Sequence, residues 1–314
     1  MHENSSGQAL LLVLLSVGVI ITIALSVVSR SVSDIGVSTK DEESLRAFSA
    51  AEAGVEEILK QPIASLPTDG NAASPVTVGA ATTPTNYTAL TASYPENRRE
   101  FLYPTELLSG DTATVWLSEH DQDNPGTLTC SGGSNIKCYQ GDNVRMCWGK
   151  TGVDITQQPA VVVSVLYEDM PPGRALKYAY AAYDPNTSRQ AQNKFTGGAF
   201  TSLSTNTSYG TQTFGGTRFA TCGTLQLGAG GLNLPSGVIS GRRLKAMTVM
   251  FLYNTTPTVF GVTGLPSDLP IQGRRIDSTG VSGESSRKVQ VYALYPEIPT
   301  MFQAAIFSPP GVVK

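Results

Sequence analysis

The densest group of side chains able to bind or carry charge is Glu119-His120-Asp121-Gln122-Asp123-Asn124. Oxygens this close together suit a hard cation, and Asp121, Asp123 and Asn124 are the candidate calcium ligands. The twelve-residue calcium-loop pattern is not met. Pro125 stands where an acid or amide is usual, and no bidentate glutamate follows at the right distance. A solvated loop is the plainer reading, so no resident metal is expected. A Ser-His-Asp triad needs a histidine, and His120 is the one available beyond His2. Acid–base residues are too sparse to assign a catalytic residue or a cofactor, and the chain reads as non-enzymatic.

The thiols are Cys130, Cys138, Cys147 and Cys222. No C-x-x-C spacing occurs, which argues against a thiolate metal site. Outside the cytoplasm, two disulfides are the expected use. Several connectivities are open. The favoured one pairs Cys130 with Cys138 across a Gly-rich loop and Cys147 with Cys222 between two strands.

What must position these groups is a chain of 314 residues with 22 Lys+Arg against 25 Asp+Glu and a net charge of -3. Charged residues make up 15%, with 31 Gly and 19 Pro, which suits a loop-rich β domain and argues against nucleic acid as a partner. The pairs Arg98-Arg99 and Arg242-Arg243 read as solvated turn residues.

The stretch Gly7 to Lys60 organises the rest. After a polar segment, Met1 to Ser6, the residues Ala9 to Val28 form an uncharged apolar run. As a helix it is about 30 Å long, enough to cross a bilayer's hydrocarbon core. The helix is expected to continue to about Lys60, with Pro62 as a stop. Leu45, Phe48, Val55 and Leu59 fall on one face, with Ala51 and Ile58 at its edge, and this face is expected to pack beneath a globular domain. Glu42 with Arg46, and Glu56 with Lys60, have favourable i,i+4 spacing. Glu52 lands inside the apolar stripe. It is expected to reach the stripe's edge, to pair within the chain, or to set the register against a neighbouring subunit. Gly18 and Gly36 each weaken the helix by about 0.5–1 kcal/mol relative to Ala. They serve close helix packing, local softening as the helix leaves the membrane, or no role.

Gly7-Gln8 before a long apolar helix resembles a prepilin-type processing site. Arg46-Ala47-Phe48-Ser49-Ala50-Ala51-Glu52-Ala53-Gly54 resembles the AF-x-AAEAG signature of PilX-type minor pilins and related pseudopilins. The resemblance implies cleavage after Gly7 by a prepilin peptidase and insertion of Ala9 to Val28 in the membrane. It then implies withdrawal of the helix into the core of a filament, where packing against like helices replaces lipid. The implied partners are other pilin or pseudopilin subunits, a membrane assembly platform, and lipid before assembly. The implied location is a single-pass membrane precursor that becomes an extracellular filament or surface structure. Leu12 stands where most of the family carries a glutamate. Its apolar side chain eases insertion, and the departure suggests a minor or tip subunit. The leader holds His2 and Glu3 but no Lys or Arg, and Arg30 follows the span. That charge bias favours the opposite orientation, although long domains translocate largely regardless of charge.

The expected fold class is α+β: a long N-terminal helix, transmembrane in its first half, packed against an antiparallel sheet of about six to nine strands with long loops. The expected divisions are a leader at 1–7, a helix at 8–61 (transmembrane over 8–29), a loop-rich connection at 62–110 and a β-rich domain at 111–314. Strands are expected at Thr112–Leu117, Val144–Gly149, Phe219–Leu227, Leu244–Tyr253 and Thr258–Val262. Ala160–Tyr167 and Ala175–Tyr183 form an expected hairpin, as do Gly273–Thr279 and Arg287–Leu294 around a turn at 280–286. Residues 184–217 read as exposed loops. Asn86, Asn186, Asn206 and Asn254 open glycosylation sequons of low specificity. Phe200, Tyr209 and Phe214 are loop aromatics suited to adhesion or to local core plugs. Two rival readings are a signal-anchored adhesin or binding module that never enters a filament, and a membrane-tethered hydrolase.

Overall fold

The computed structural model describes residues 6–63, 66, 69–78, 85–121, 126–130, 138–172, 175–195, 200–204 and 216–298. The chain opens with α1 (Ser6–Leu59), 54 residues without a break. The elements that follow are β1 (Asp69–Val78), β2 (Thr85–Tyr94), β3 (Phe101–Leu102), β4 (Thr112–Trp116), β5 (Glu119–His120) and β6 (Leu128–Thr129). Next come β7 (Asn143–Lys150), β8 (Ala160–Glu168), β9 (Leu176–Tyr183), α2 (Thr187–Asn193), β10 (Phe200–Ser204) and β11 (Phe219–Gln226). The last are α3 (Ser236–Ser240), β12 (Leu244–Leu252), β13 (Phe260–Val262), β14 (Gly273–Ser282) and β15 (Ser285–Leu294). The fold is α+β, a long apolar helix with antiparallel sheets. The expected single sheet is instead three sheets, ordered β1-β2-β14-β15, β10-β11-β7-β13-β3 and β4-β12-β8-β9, plus the ribbon β5-β6.

The chain divides into two compact units. The first comprises Met1–Ile58, Asn71–Leu90 and Asp277–Gln290; the second comprises Leu59–Gly70, Thr91–Ile276 and Val291–Lys314. In the first unit, α1 docks on β2 and on the hairpin β14–β15. Where a loop-rich connection with at most short edge strands is expected over 62–110, the chain forms β1 and the ten-residue β2. In β2, Thr85, Tyr87 and Ala89 alternate inward as a half-buried strand requires. The inward residues are mostly Thr and Ala rather than Val and Ile, so composition alone resembles a loop. The closing hairpin is also tighter than expected. Gly280–Ser282 and Ser285–Ser286 belong to the strands, and the turn is Gly283-Glu284, with Gly283 at φ +56°.

In the second unit two antiparallel sheets share one core. Val161, Val163 and Val165 of β8 and Met247, Val249 and Phe251 of β12 face Val144, Met146 and Trp148 of β7, with Phe260 and Val262 of β13. Alternate residues point inward, as face-to-face sheet packing requires. The expected β8–β9 hairpin forms, with a register running from Val161 opposite Tyr183 to Glu168 opposite Leu176. Beyond it, a hydrogen bond from the Lys177 ammonium holds the Asp169 carboxyl below its ordinary range.

The expectation of exposed loops over 184–217 fails at its start. Asp184 is fully buried. It accepts both guanidinium arms of Arg189 (2.6 and 2.7 Å), the Asn193 amide (2.7 Å) and the Asn186 backbone N–H (2.9 Å). A buried carboxylate needs such saturation to offset its lost hydration. Asn186 caps α2 through bonds from the N–H groups of Ser188 and Arg189.

Arg98, Arg99 and Arg242 lie in turns and Arg99 is exposed, as expected, while Arg98 and Arg243 are also held by the fold. Arg98 donates to the Leu269 carbonyl (2.6 Å), Arg99 pairs with Asp268 (3.0 Å), and Arg243 pairs with Glu168 (3.0 Å). Sequons Asn186 and Asn254 are buried with their side chains engaged, which closes both to a glycan in the folded chain. Asn86 lies half-buried in β2, and Asn206 lies outside the described residues.

Candidate functional site

The long helix is the surface on which function can act, and its two halves are covered differently. From Leu10 to Glu42 every residue is exposed, including Leu12 at 65%. Leu10–Leu59 has a mean hydropathy of 2.9 in its most apolar stretch and is long enough to cross a membrane, so it is compatible with a single-pass anchor. Gly7 and Gln8 lie in its first turn. A Cβ at Gly18 or Gly36 would meet open space, so neither glycine serves close packing within this chain.

Further along, one face closes onto β2 and β14. Ala47, Ala50, Ala51, Gly54, Val55 and Ile58 are buried. Their spacing follows the i, i+3, i+4, i+7 rule of a helical stripe. The stripe is built of small residues because the backbones approach closely. A Cβ on Gly54 would strike the Ser278 hydroxyl and the Tyr87 ring. At the end of the hairpin, Glu43 accepts a hydrogen bond from the Glu284 N–H (3.2 Å), and Arg287 donates to the Ser44 hydroxyl (2.8 Å). These last contacts tie the turn to the helix, and long-range pairing of this kind leaves no local sequence signal.

This corrects the expected packing face. Of the residues expected beneath the domain, Val55 is buried there, together with Ala51 and Ile58 from the expected edge. Leu45, Phe48 and Leu59 are 68%, 45% and 47% exposed. Glu52 is exposed among them, at the middle of an outer stripe rather than at the edge of an inner one. Glu42 and Arg46 form the expected i,i+4 pair (2.5 Å) on the exposed surface, where such pairs contribute little.

The candidate calcium cluster is not assembled as a site. His120 is buried between Trp116 and Tyr295, stacked on the latter at 4.0 Å between ring centres. Asp121 follows it, and Asp123 and Asn124 lie outside the described residues. Among the described residues no group of three or more His, Cys, Asp or Glu gathers to hold a metal. The four cysteines form the two expected bridges. Cys130–Cys138 closes the loop, and Cys147–Cys222 joins directly opposed residues of β7 and β11, with Cα atoms 4.1 Å apart. Phe200 opens β10, while Tyr209 and Phe214 lie outside the described residues.

No family model, no curated protein and no solved structure matches this chain.

Proposed function

We propose that this chain is a structural subunit of a pilin-like filament, of the minor pilin or pseudopilin kind. Membrane lipid holds it first, through Ala9 to Val28. A prepilin peptidase then cuts after Gly7, and a membrane assembly platform transfers the helix into a bundle of like helices, where packing replaces lipid contact. The assembled subunit lies outside the cell and displays its β sheets there. It carries no catalytic role in this reading.

The observation that supports the reading is the division of α1. Its first half is apolar and uncovered, while its second half is fixed to β2 and the β14–β15 hairpin by the small residues of the A-A-E-A-G segment. A plain tether needs a linker after the membrane, whereas a rod continuous with its own domain is what a helical assembly needs.

The test is co-production of the full chain with an active prepilin peptidase, followed by N-terminal sequencing. A mature chain starting at Gln8 supports the reading. A chain that keeps Met1–Gly7 in the presence of the active peptidase overturns it and favours a signal-anchored adhesin.

A further inference from the structure

The outer stripe of α1 poses a problem that the bilayer does not solve. Leu45 lies about 25 Å beyond Val28 along the helix axis, and Leu59 about 46 Å beyond it. Lipid that covers Ala9 to Val28 cannot reach either side chain. Their own sheet does not cover them either, since the buried face of the helix is the small-residue face. Large apolar side chains left in line on one surface mark a contact with another molecule.

The charges indicate what that molecule is. Within the stripe the anion is Glu52. Arg30 is the single cation between Ala9 and Lys40. It is exposed, and on a helical projection at about 100° per residue it falls in the same sector as Leu45, Phe48, Glu52 and Leu59. Arg30 and Glu52 are about six whole turns apart, or about 33 Å. Sliding one copy of the helix past another by that distance puts Glu52 against Arg30. The same shift sets Leu45 against Ile23 and Leu59 against Val37, both exposed apolar residues. Phe48 comes level with Ser26, and Glu56, about 20° outside the sector, comes level with Asp34, which lies within it.

We infer that the outer stripe of α1 docks on the Ile23–Val37 stretch of a second copy of this chain, with Glu52 paired to that copy's Arg30. This contact rests on the filament reading and adds its register. Each charge needs the other, because a carboxylate or guanidinium enclosed by apolar side chains is costly unless paired. The shift has a second consequence. A copy raised by about 33 Å has its apolar run displaced by about the thickness of the hydrocarbon core. Two copies anchored at one level in a bilayer cannot make the pair, so the contact belongs to the withdrawn state.

The experiment uses two differently tagged full-length copies in detergent, one carrying Val37→Cys and the other Leu59→Cys, with a short bismaleimide linker, so that Arg30 and Glu52 stay in place. All four native cysteines are already disulfide-bonded. The 37–59 product is expected to exceed the 37–37 and 59–59 products several-fold, and to fall away when both copies are held in lipid vesicles. Separately, Glu52→Arg is expected to reduce self-association, and adding Arg30→Glu to restore it. All of these positions are exposed. Dominance of the level 59–59 product, or no restoration by the double reversal, overturns the register. A chain that is cut after Gly7 but gives no 37–59 product sinks the register alone; an uncut chain that gives it sinks the filament reading alone.

Discussion

Gly280 of β14 and Ala47 of α1 meet with no room for a side chain between them. A Cβ on Gly280 would strike the Ala47 carbonyl and lie 2.6 Å from the Ala51 backbone nitrogen. The contact joins the A-A-E-A-G segment to the closing hairpin, so Gly280 is required here for space. Gly280→Val should therefore separate helix from sheet, at a cost of about 1–3 kcal/mol or more from overpacking. Gly36→Ala is the control, because its Cβ enters open space and should strengthen the helix by about 0.5–1 kcal/mol. Urea unfolding of the full chain in detergent reads both changes. An unchanged midpoint for Gly280→Val would show that the helix does not dock as described.

The outer stripe makes the opposite prediction. Phe48→Ser and Leu45→Ser remove exposed side chains, so each should change unfolding free energy by no more than about 0.5 kcal/mol. Ala51→Leu, one turn away on the buried face, should cost about 1–3 kcal/mol by overpacking. If Phe48→Ser unfolds the chain and Ala51→Leu does not, the two faces have been assigned the wrong way round.

This reversal of faces shows what the sequence hides. The helix itself was legible, because an uncharged apolar run flanked by charges has few alternatives. The β8–β9 hairpin was legible too, since two runs rich in β-branched and aromatic residues flank Asp169-Met170-Pro171-Pro172-Gly173. The docking face was misread because hydrophobicity favours Leu45, Phe48 and Leu59, whereas close approach favours Ala47, Ala51 and Gly54. Size, rather than apolarity, decides which face a glycine-bearing strand accepts. β2 was missed because its inward residues, Thr85, Ala89 and Thr91 besides Tyr87, include no Val or Ile to mark a strand. The Asp184 cluster was local in sequence, with donors two, five and nine residues on, but it was missed because the Asn- and Ser-rich composition around it reads as exposed loop and the cap Asn186 was not recognised.

The two disulfides should differ in their effect. Cys147–Cys222 closes 75 residues of chain, and Cys130–Cys138 closes eight. On loop entropy alone, removing the first costs about 4.5 kcal/mol and the second about 2.5 kcal/mol. The buried setting of Cys147 and Cys222 beside Phe219 adds a cavity cost when both become alanine. Thermal unfolding of the two double-alanine variants should place Cys147→Ala/Cys222→Ala clearly lower. Equal melting temperatures would mean that the longer bridge adds nothing beyond the β7–β11 ladder.

Alkaline stability should depend on two phenols, Tyr139, which is buried, and Tyr94, which is half-buried. Burial, reinforced by the nearby Tyr292, pushes Tyr94 well above its ordinary value despite the opposing pull of Arg275; burial and the Asp142 carboxylate do the same for Tyr139. Their hydroxyls donate to the carbonyls of Leu102 and Asn143. In the unfolded chain both phenols ionise near pH 10, but in the folded chain they do not ionise until higher pH. The unfolded state therefore binds fewer protons above pH 10. The stability these groups contribute is fully present below that pH and is lost as pH climbs toward their folded values. Urea midpoints measured from pH 8 to pH 11.5 should hold level and then fall. Tyr139→Phe should lower the plateau by about 1 kcal/mol through the lost hydrogen bond, and should also make the alkaline fall shallower. A fall as steep as that of the parent chain would show that Tyr139 does not carry the alkaline loss.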